Sequence, residues 1–298
     1  MLFKRQRLLL SLLHALGGKA DRKDFQKLLF LFTREEEEVP SYDFVPFRYG
    51  GFSFTSYADK RKLADKGLLA EDDASWFLTS AGRSRALREP FAERSRIAAF
   101  CRRYAHLRGN ALLADVYTRF PYYATRSELL GSLNLPPAAR ERIQAAKPAA
   151  QSAGLFTIGY EGRTLESYLN ILLKAGISIL CDVRRNPISR KYGFSKRTLQ
   201  NACSKLGIQY EHLPELGIES AERKSLNSQA DYDALFREYE RTALPKQPAA
   251  LNQIADWLRQ GERVALTCYE HAPQQCHRHC VAEAVQHGYG TPRTISHL

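Results

Sequence analysis

Leu8, Leu9, Leu12, Leu13 and Leu16 recur with polar residues between them, the spacing of one helical face, and Gly17-Gly18 ends the pattern. Phe25, Leu28, Leu29 and Phe32 repeat that spacing and predict a second helix over residues 22–34. An aromatic, glycine-rich segment, PFRYGGFSF, leads into a polar helix that ends at Lys66. Two short apolar runs, 68–70 and 76–79, then flank the acidic turn Glu71-Asp72-Asp73. Helices followed by a two-stranded wing predict a winged helix-turn-helix domain over residues 1–90. Residues 91–150 read as a helical extension and linker. Ile97, Phe100, Tyr104 and Leu107 form one helical stripe, and Leu112, Leu113, Val116 and Tyr117 the next. The alanine-rich stretch 138–153, with a proline inside it, reads as the linker proper.

Beyond residue 150 the period changes. Phe156–Ile158 is a short strand, Thr164 caps a helix that faces Leu165, Tyr168, Leu169, Leu172 and Leu173 inward, and 177–183 is an uninterrupted buried strand. Strand, helix and strand on short connections make a βαβ unit, so residues 151–298 are expected to be an α/β domain with a parallel sheet. A helix over 198–206 with Ser195 as its cap, a strand over 208–213 and a lid-like polar stretch over 218–230 follow. Next come two helices, carrying Leu235, Phe236 and Tyr239 and then Ile254, Ala255 and Leu258. The strand 264–268 closes the series, and a helix is expected to open with Cys276, His277 and Arg278.

Charge adds an asymmetry. The formal net charge is +12, and residues 1–150 hold 26 Lys plus Arg against 17 Asp plus Glu. A basic first half suits contact with a polyanion, and Lys60, Arg61, Lys62 and Lys66 on one helix are the candidate contacts to DNA or RNA. A solvated helix in a protein-interaction domain is the alternative reading. Six cysteines in 298 residues are too few for a disulfide framework. No start segment has the makeup of a secretion signal and no apolar run reaches the length of a membrane span, so a cytoplasmic protein without a membrane partner is expected.

The chemistry gathers where the predicted strands end. Tyr160 and Glu161 follow the first strand, Asp182 and Arg184 end the second, and Cys268 and Glu270 end the last. In open parallel sheets such carboxyl ends form the ligand crevice. Ser189, Arg190, Ser195, Lys196 and Arg197 lie in a basic loop that would clamp an anion. It has neither a dinucleotide fingerprint nor a P-loop.

Three readings of this rim stay open. Cys276, with His277 beside it and a helix start to favour its thiolate, is a candidate nucleophile. Cys268, Cys276, His277 and Cys280 could hold zinc or another divalent metal, although the paired spacing of a structural zinc site is missing, so the leading expectation is no cofactor. In the third reading Arg184, Arg190, Lys196, Arg197 and Arg278 grip a nucleotide phosphate while Glu161, Asp182 and Glu270 handle protons.

Two resemblances bear on this. The motifs TIGYEGRTLESYLNILLKAGI, CDVRRNPISRKYGFSKRTL, GIQYEHLPELG and ALTCYEHAPQQCHRHCVAE resemble the DUF488 family over residues 156–287, which implies an α/β domain with its polar residues on one rim and implies no activity. The segments LLHALGGKADRKDFQKLLFLF and YDFVPFRYGGFSF resemble the amino-terminal domain of bacterial proteins related to Panacea antitoxins over residues 5–90, which implies a wing-bearing helical domain in a defence setting. The expectation is a nucleic-acid-associated hydrolase or other bond-cleaving enzyme acting on a modified or damaged nucleotide, as in DNA repair. The alternative is a non-catalytic nucleotide or modified-DNA sensor coupled to the winged helix.

Overall fold

Burial of the leucine stripe organises the amino-terminal half. α1 (Lys4–Ala15) turns Leu8, Leu9, Leu12 and Leu13 into a core shared with Phe25, Leu28, Leu29 and Phe32 of α2 (Arg22–Glu35). Asp21 starts α2 by accepting the Lys23 and Asp24 N–H groups at 2.7 and 3.2 Å. Three strands, β1 (Lys19–Asp21), β4 (Leu69–Glu71) and β5 (Ser75–Leu78), form an antiparallel sheet in the order β1–β5–β4. The glycine-rich aromatic segment forms the hairpin β2 (Val45–Phe47) and β3 (Gly50–Phe52), and α3 (Phe54–Asp65) follows it. The fully buried Trp76 packs its ring 5.2 Å from Phe25 and 4.9 Å from Tyr57.

The computed structural model describes residues 1–149, 152–219, 226–289 and 294–298, and its chain divides into two units, Met1–Lys147 and Pro148–Leu298. The helices α4 (Ser80–Ala86), α5 (Phe91–Arg103), α6 (Gly109–Arg119), α7 (Pro121–Ala124) and α8 (Pro137–Ala145) belong to the first unit. Ile97, Phe100, Leu113, Val116, Ala139 and Ile143 enter the same core as α1 and α2. Residues 91–145 are therefore integral to that unit and not an extension of it. The expected linker begins inside α8, whose Ala139 and Ile143 are buried. Residues 150 and 151 of that stretch lie outside the described residues.

The second unit is a five-stranded parallel sheet in the order β10–β6–β9–β7–β8, made of β6 (Gly154–Gly159), β7 (Ile179–Asp182), β8 (Gln209–His212), β9 (Arg263–Cys268) and β10 (Ile295–His297). Its helices are α9 (Leu165–Lys174), α10 (Lys196–Lys205), α11 (Gln229–Thr242), α12 (Pro248–Arg259) and α13 (Arg278–Gly288). Alternation along the strands sorts the residues by face. Leu155, Ile179, Cys181, Val264 and Leu266 share a core with α11, α12 and α13. Tyr168 of α9 bonds Thr267 from the other side. Connections from β6 to β7 and from β7 to β8 move one way across the sheet, and those from β8 to β9 and from β9 to β10 move back. A right-handed crossover needs opposite faces for the two directions. The loop after β9 thus leaves toward one face and its neighbours after β6 and β7 toward the other, which opens a crevice at these carboxyl ends.

Two expectations change here. β10 was not visible in the sequence, because a three-residue edge strand carries no readable period. Of the lid-like stretch 218–230, residues 220–225 lie outside the described residues, and Gln229 and Ala230 already belong to α11.

Candidate active site

The crevice is a cleft of about 350 Å³ lined by Tyr160, Arg184, Arg185, Asn186, Ile188, Ser189, Arg190, Ile218, Cys268, Tyr269 and Glu270. A second hollow of about 310 Å³ is lined by Leu226, Asn227, Tyr232, Leu235, Phe236, Glu270 and Gln275. Glu270 lines both, so it stands between a basic compartment and an aromatic one.

The loop that carries Glu270 is held from every side by residues the sequence had suggested for other work. Tyr160 and Glu161 donate their backbone N–H groups to the Tyr269 carbonyl at 3.1 and 2.9 Å. The Glu161 carboxylate accepts the His271 N–H at 2.9 Å. Arg278, almost wholly buried, donates Nη1 to the Glu270 carbonyl at 2.5 Å and Nη2 to the His271 carbonyl at 2.9 Å. Gly159 makes the approach possible, since a Cβ there would fall 1.8 Å from the Glu270 carbonyl oxygen. Glu161 and Arg278 thus both hold the backbone of this loop.

Asp182 and Arg184 pair inside the protein, and of the two Arg184 also lines the cleft. Asp182 is fully buried and Arg184 is 6% exposed. The guanidinium donates Nε to Oδ1 of Asp182 at 2.8 Å and Nη2 to Oδ2 at 2.5 Å, while Nη1 reaches the Tyr160 hydroxyl at 3.0 Å and the Phe194 carbonyl at 2.8 Å. Tyr210 adds its hydroxyl to Oδ2 of Asp182 at 2.6 Å. Burial alone would lower the Arg184 guanidinium, but Asp182 outweighs it and holds the group above its ordinary value. A carboxylate enclosed in this way balances a buried charge. Asp182 is not among the residues that line the cleft. Four side-chain bonds of Arg184 are made inside the protein, while the residue still lines the cleft.

The basic loop is tied to itself. Ser195 Oγ accepts the Ser189 N–H at 3.1 Å and donates to the Ser189 carbonyl at 3.1 Å, and Ser189 Oγ accepts the Lys191 N–H at 3.1 Å. Ser195 sits at the start of α10 but its side chain does not cap the helix. Arg190 and Ser189 line the cleft; Ser195, Lys196 and Arg197 do not. Lys196 instead faces His212, with Nζ and Nδ1 3.0 Å apart. Arg185, which the sequence reading left out of its site, does line the cleft together with Asn186. Its backbone is pressed against Gly217, where a Cβ would stand 2.1 Å from the Arg185 nitrogen. The ring of Tyr160 stacks on Phe194 at 4.3 Å and forms part of the wall.

Beneath Glu270 lies a sulphur and imidazole cluster. Cys268 points its thiol at the Glu270 carboxylate, 3.4 Å away, and lies 3.8 Å from His277 Nδ1. His277, fully buried, donates Nε2–H to the Val183 carbonyl at 2.9 Å. A carbonyl only accepts, so Nε2 carries a proton, and Nδ1 is the ring nitrogen that faces Cys268. α13 begins at Arg278, so Cys276 precedes the helix and is not in its first turn. Burial, with a bond to Cys268, pushes the Cys276 thiol well above its ordinary value. The thiolate expected for a nucleophile is therefore disfavoured in Cys276. Cys280 falls outside this cluster and groups with Glu240 and His279.

In the first unit, Lys60 is not a surface cation. It is buried beside Trp76 and donates Nζ to Glu71 at 2.7 Å. Arg61, Lys62 and Lys66 are exposed. Among the described residues, no helix is long and apolar enough to cross a membrane.

Comparison with known proteins adds one match. A search of curated proteins and one of solved structures returned none. Residues 164–285 match the family described as Domain of unknown function DUF488, a span that takes in Asp182, Arg184, Cys268, Glu270, Cys276, His277 and Arg278 but stops short of the first unit. The resemblance of residues 5–90 to Panacea-related domains gains no support from that match, and the carboxyl-terminal unit is DUF488-like over those 122 residues.

Proposed function

We propose that the carboxyl-terminal unit is a bond-cleaving enzyme that acts on a nucleotide unit, with Glu270 as the group that moves the proton. The observation that carries this reading is the position of Glu270 between the two compartments. Arg190, Asn186 and Ser189, with Arg185, which also pairs with Glu219 at 2.8 Å, offer charged and neutral donors on one side, as a phosphate needs. Tyr232, Leu235 and Phe236 offer apolar and aromatic surface on the other, as a base needs. Each volume falls within the range of small-molecule sites. Hydrolysis suits a fixed carboxylate, which takes a proton from water and returns it to the leaving group. A modified or damaged nucleotide is the substrate class, because an unstacked unit enters such a cleft at least cost.

The first unit supports the same reading. Its order of helices and the β4–β5 hairpin fit a winged helix, and Arg61 and Lys62 of α3, with Lys66 just after its end, are exposed cations. In this proposal that unit binds DNA or RNA through phosphates.

The test uses full-length protein and a panel of nucleoside monophosphates and damaged oligonucleotides. Glu270→Gln is expected to retain ligand and to lose turnover by about 100-fold or more. Arg190→Ala is expected to weaken binding by roughly 10-fold or more, the scale of one charged hydrogen bond. Tight binding with no product from the unmodified protein on every substrate would make the unit a sensor instead.

A further inference from the structure

We infer that Cys268, Cys276 and His277 bind one zinc-class divalent ion whose fourth position faces Glu270. Cys268 Sγ, Cys276 Sγ and His277 Nδ1 all lie within 4.8 Å of one another and are buried. A tetrahedral ion with metal–sulphur bonds of about 2.3 Å and metal–nitrogen bonds of about 2.0 Å separates its donors by roughly 3.5–3.8 Å. The Cys268 sulphur and His277 Nδ1 already stand 3.8 Å apart. Little movement is then needed to close the set on an ion.

The histidine is oriented for this role. Its Nε2–H is anchored on the Val183 carbonyl at 2.9 Å, the outer bond that metal-ligating histidines commonly make, and this turns Nδ1 toward the Cys268 sulphur. Two thiolates and an imidazole select zinc over magnesium or calcium, which prefer oxygen. Three protein ligands are also the number found in zinc sites that keep a position open for water.

The open position has a direction. Cys268 is the member of the set that lines the cleft, and the Glu270 carboxylate stands 3.4 Å from its sulphur without belonging to the three. Water in the fourth position would pass a proton to Glu270 and stay on the ion as hydroxide. Binding of the ion releases the two thiol protons to solvent. This assignment goes beyond the proposed function and is measured without any substrate, so the two fail separately.

The experiment is zinc and cobalt titration of reduced, chelator-treated full-length protein, with bound metal counted after gel filtration. One equivalent per chain, proton release on binding and a sulphur-to-cobalt charge-transfer band are expected. Cys268→Ser and Cys276→Ser should each weaken zinc by about 100-fold or more, beyond the loss seen when only an outer partner is removed. Cys280→Ser and Glu270→Gln should keep the metal. Should a cysteine variant fail to fold, the unmodified protein still decides, because zinc binding to the native state must raise its melting temperature. No retained metal in the reduced protein, or metal kept by both serine variants, overturns the assignment. So does reduced protein that binds no zinc but forms a Cys268–Cys276 disulfide on mild oxidation.

Discussion

Replacing Asp182 with Asn separates a structural charge from a catalytic one. The change keeps the shape of the side chain and leaves the Arg184 guanidinium, 6% exposed, without its counter-charge. Four bonds lose their charge assistance: three from Arg184, one of them its backbone N–H at 3.1 Å, and the one from Tyr210. Breaking a buried pair by removing one partner costs about 3–5 kcal/mol. Domains of this size hold about 5–15 kcal/mol in all, so the loss is a large fraction of the total. At 2–4 °C per kcal/mol, the melting transition of the carboxyl-terminal unit should fall by roughly 6–20 °C. Urea unfolding of the full chain at pH 7, followed by circular dichroism, should show a lowered midpoint with an unchanged slope. At a temperature where the variant is folded, its turnover should stay within about 10-fold of the unmodified protein, while Glu270→Gln loses about 100-fold or more. A stability change under about 1 kcal/mol, or a turnover loss as deep as that of Glu270→Gln, would refute the reasoning.

Other outcomes follow from the same geometry. Burial lowers Lys27 in the first unit to about 7 against an ordinary value of 10.5, although it donates to the Gly51 carbonyl at 2.9 Å. Between those pH values the unfolded chain binds more protons than the native one, so this residue makes stability rise with pH. Its penalty is fully present below about 7, with an upper bound of about 5 kcal/mol from the width of the window. Lys27→Met should therefore melt higher than the unmodified protein at pH 6, with the gap narrowing by pH 10; parallel curves would contradict this. Arg278→Met should free the Glu270 and His271 carbonyls, raise amide exchange in residues 269–272 and weaken ligand binding, and unchanged exchange would remove its positioning role. Reversing Arg61, Lys62 and Lys66 to Glu should abolish salt-sensitive nucleic-acid binding, whereas Lys60→Met should mainly cost stability. Binding that survives the triple reversal would move the contact elsewhere.

Much of the second unit was legible because its strands are buried on both faces and its helices keep a clean period. The run 177–183 and the stripe Leu165, Tyr168, Leu169 and Leu172 leave little choice of element. The carboxyl-end rim could be read for the same reason, since a parallel sheet puts all those ends together. What stayed hidden was where each polar side chain turns. Arg184 folds back on Asp182 two residues earlier, and spacing alone does not distinguish that from a side chain reaching outward. Arg278 and Glu161 spend their polar groups on a loop backbone, a partner that carries no sequence signature. Lys60 sits on a helix of mixed polarity, and its burial follows from Trp76 on another element. The aromatic compartment was missed because Leu235 and Phe236 read as ordinary helix core; together with Tyr232 of the same helix they line the hollow beside Glu270.

The most direct test of the central claim is a crystal structure of Glu270→Gln grown with a short damaged oligonucleotide. The account predicts one unstacked nucleotide in the cleft, its phosphate within hydrogen-bond distance of Arg185 or Arg190 and its base against Tyr232 or Phe236. A nucleotide bound away from Glu270, in a variant that still turns over at the unmodified rate, would contradict it.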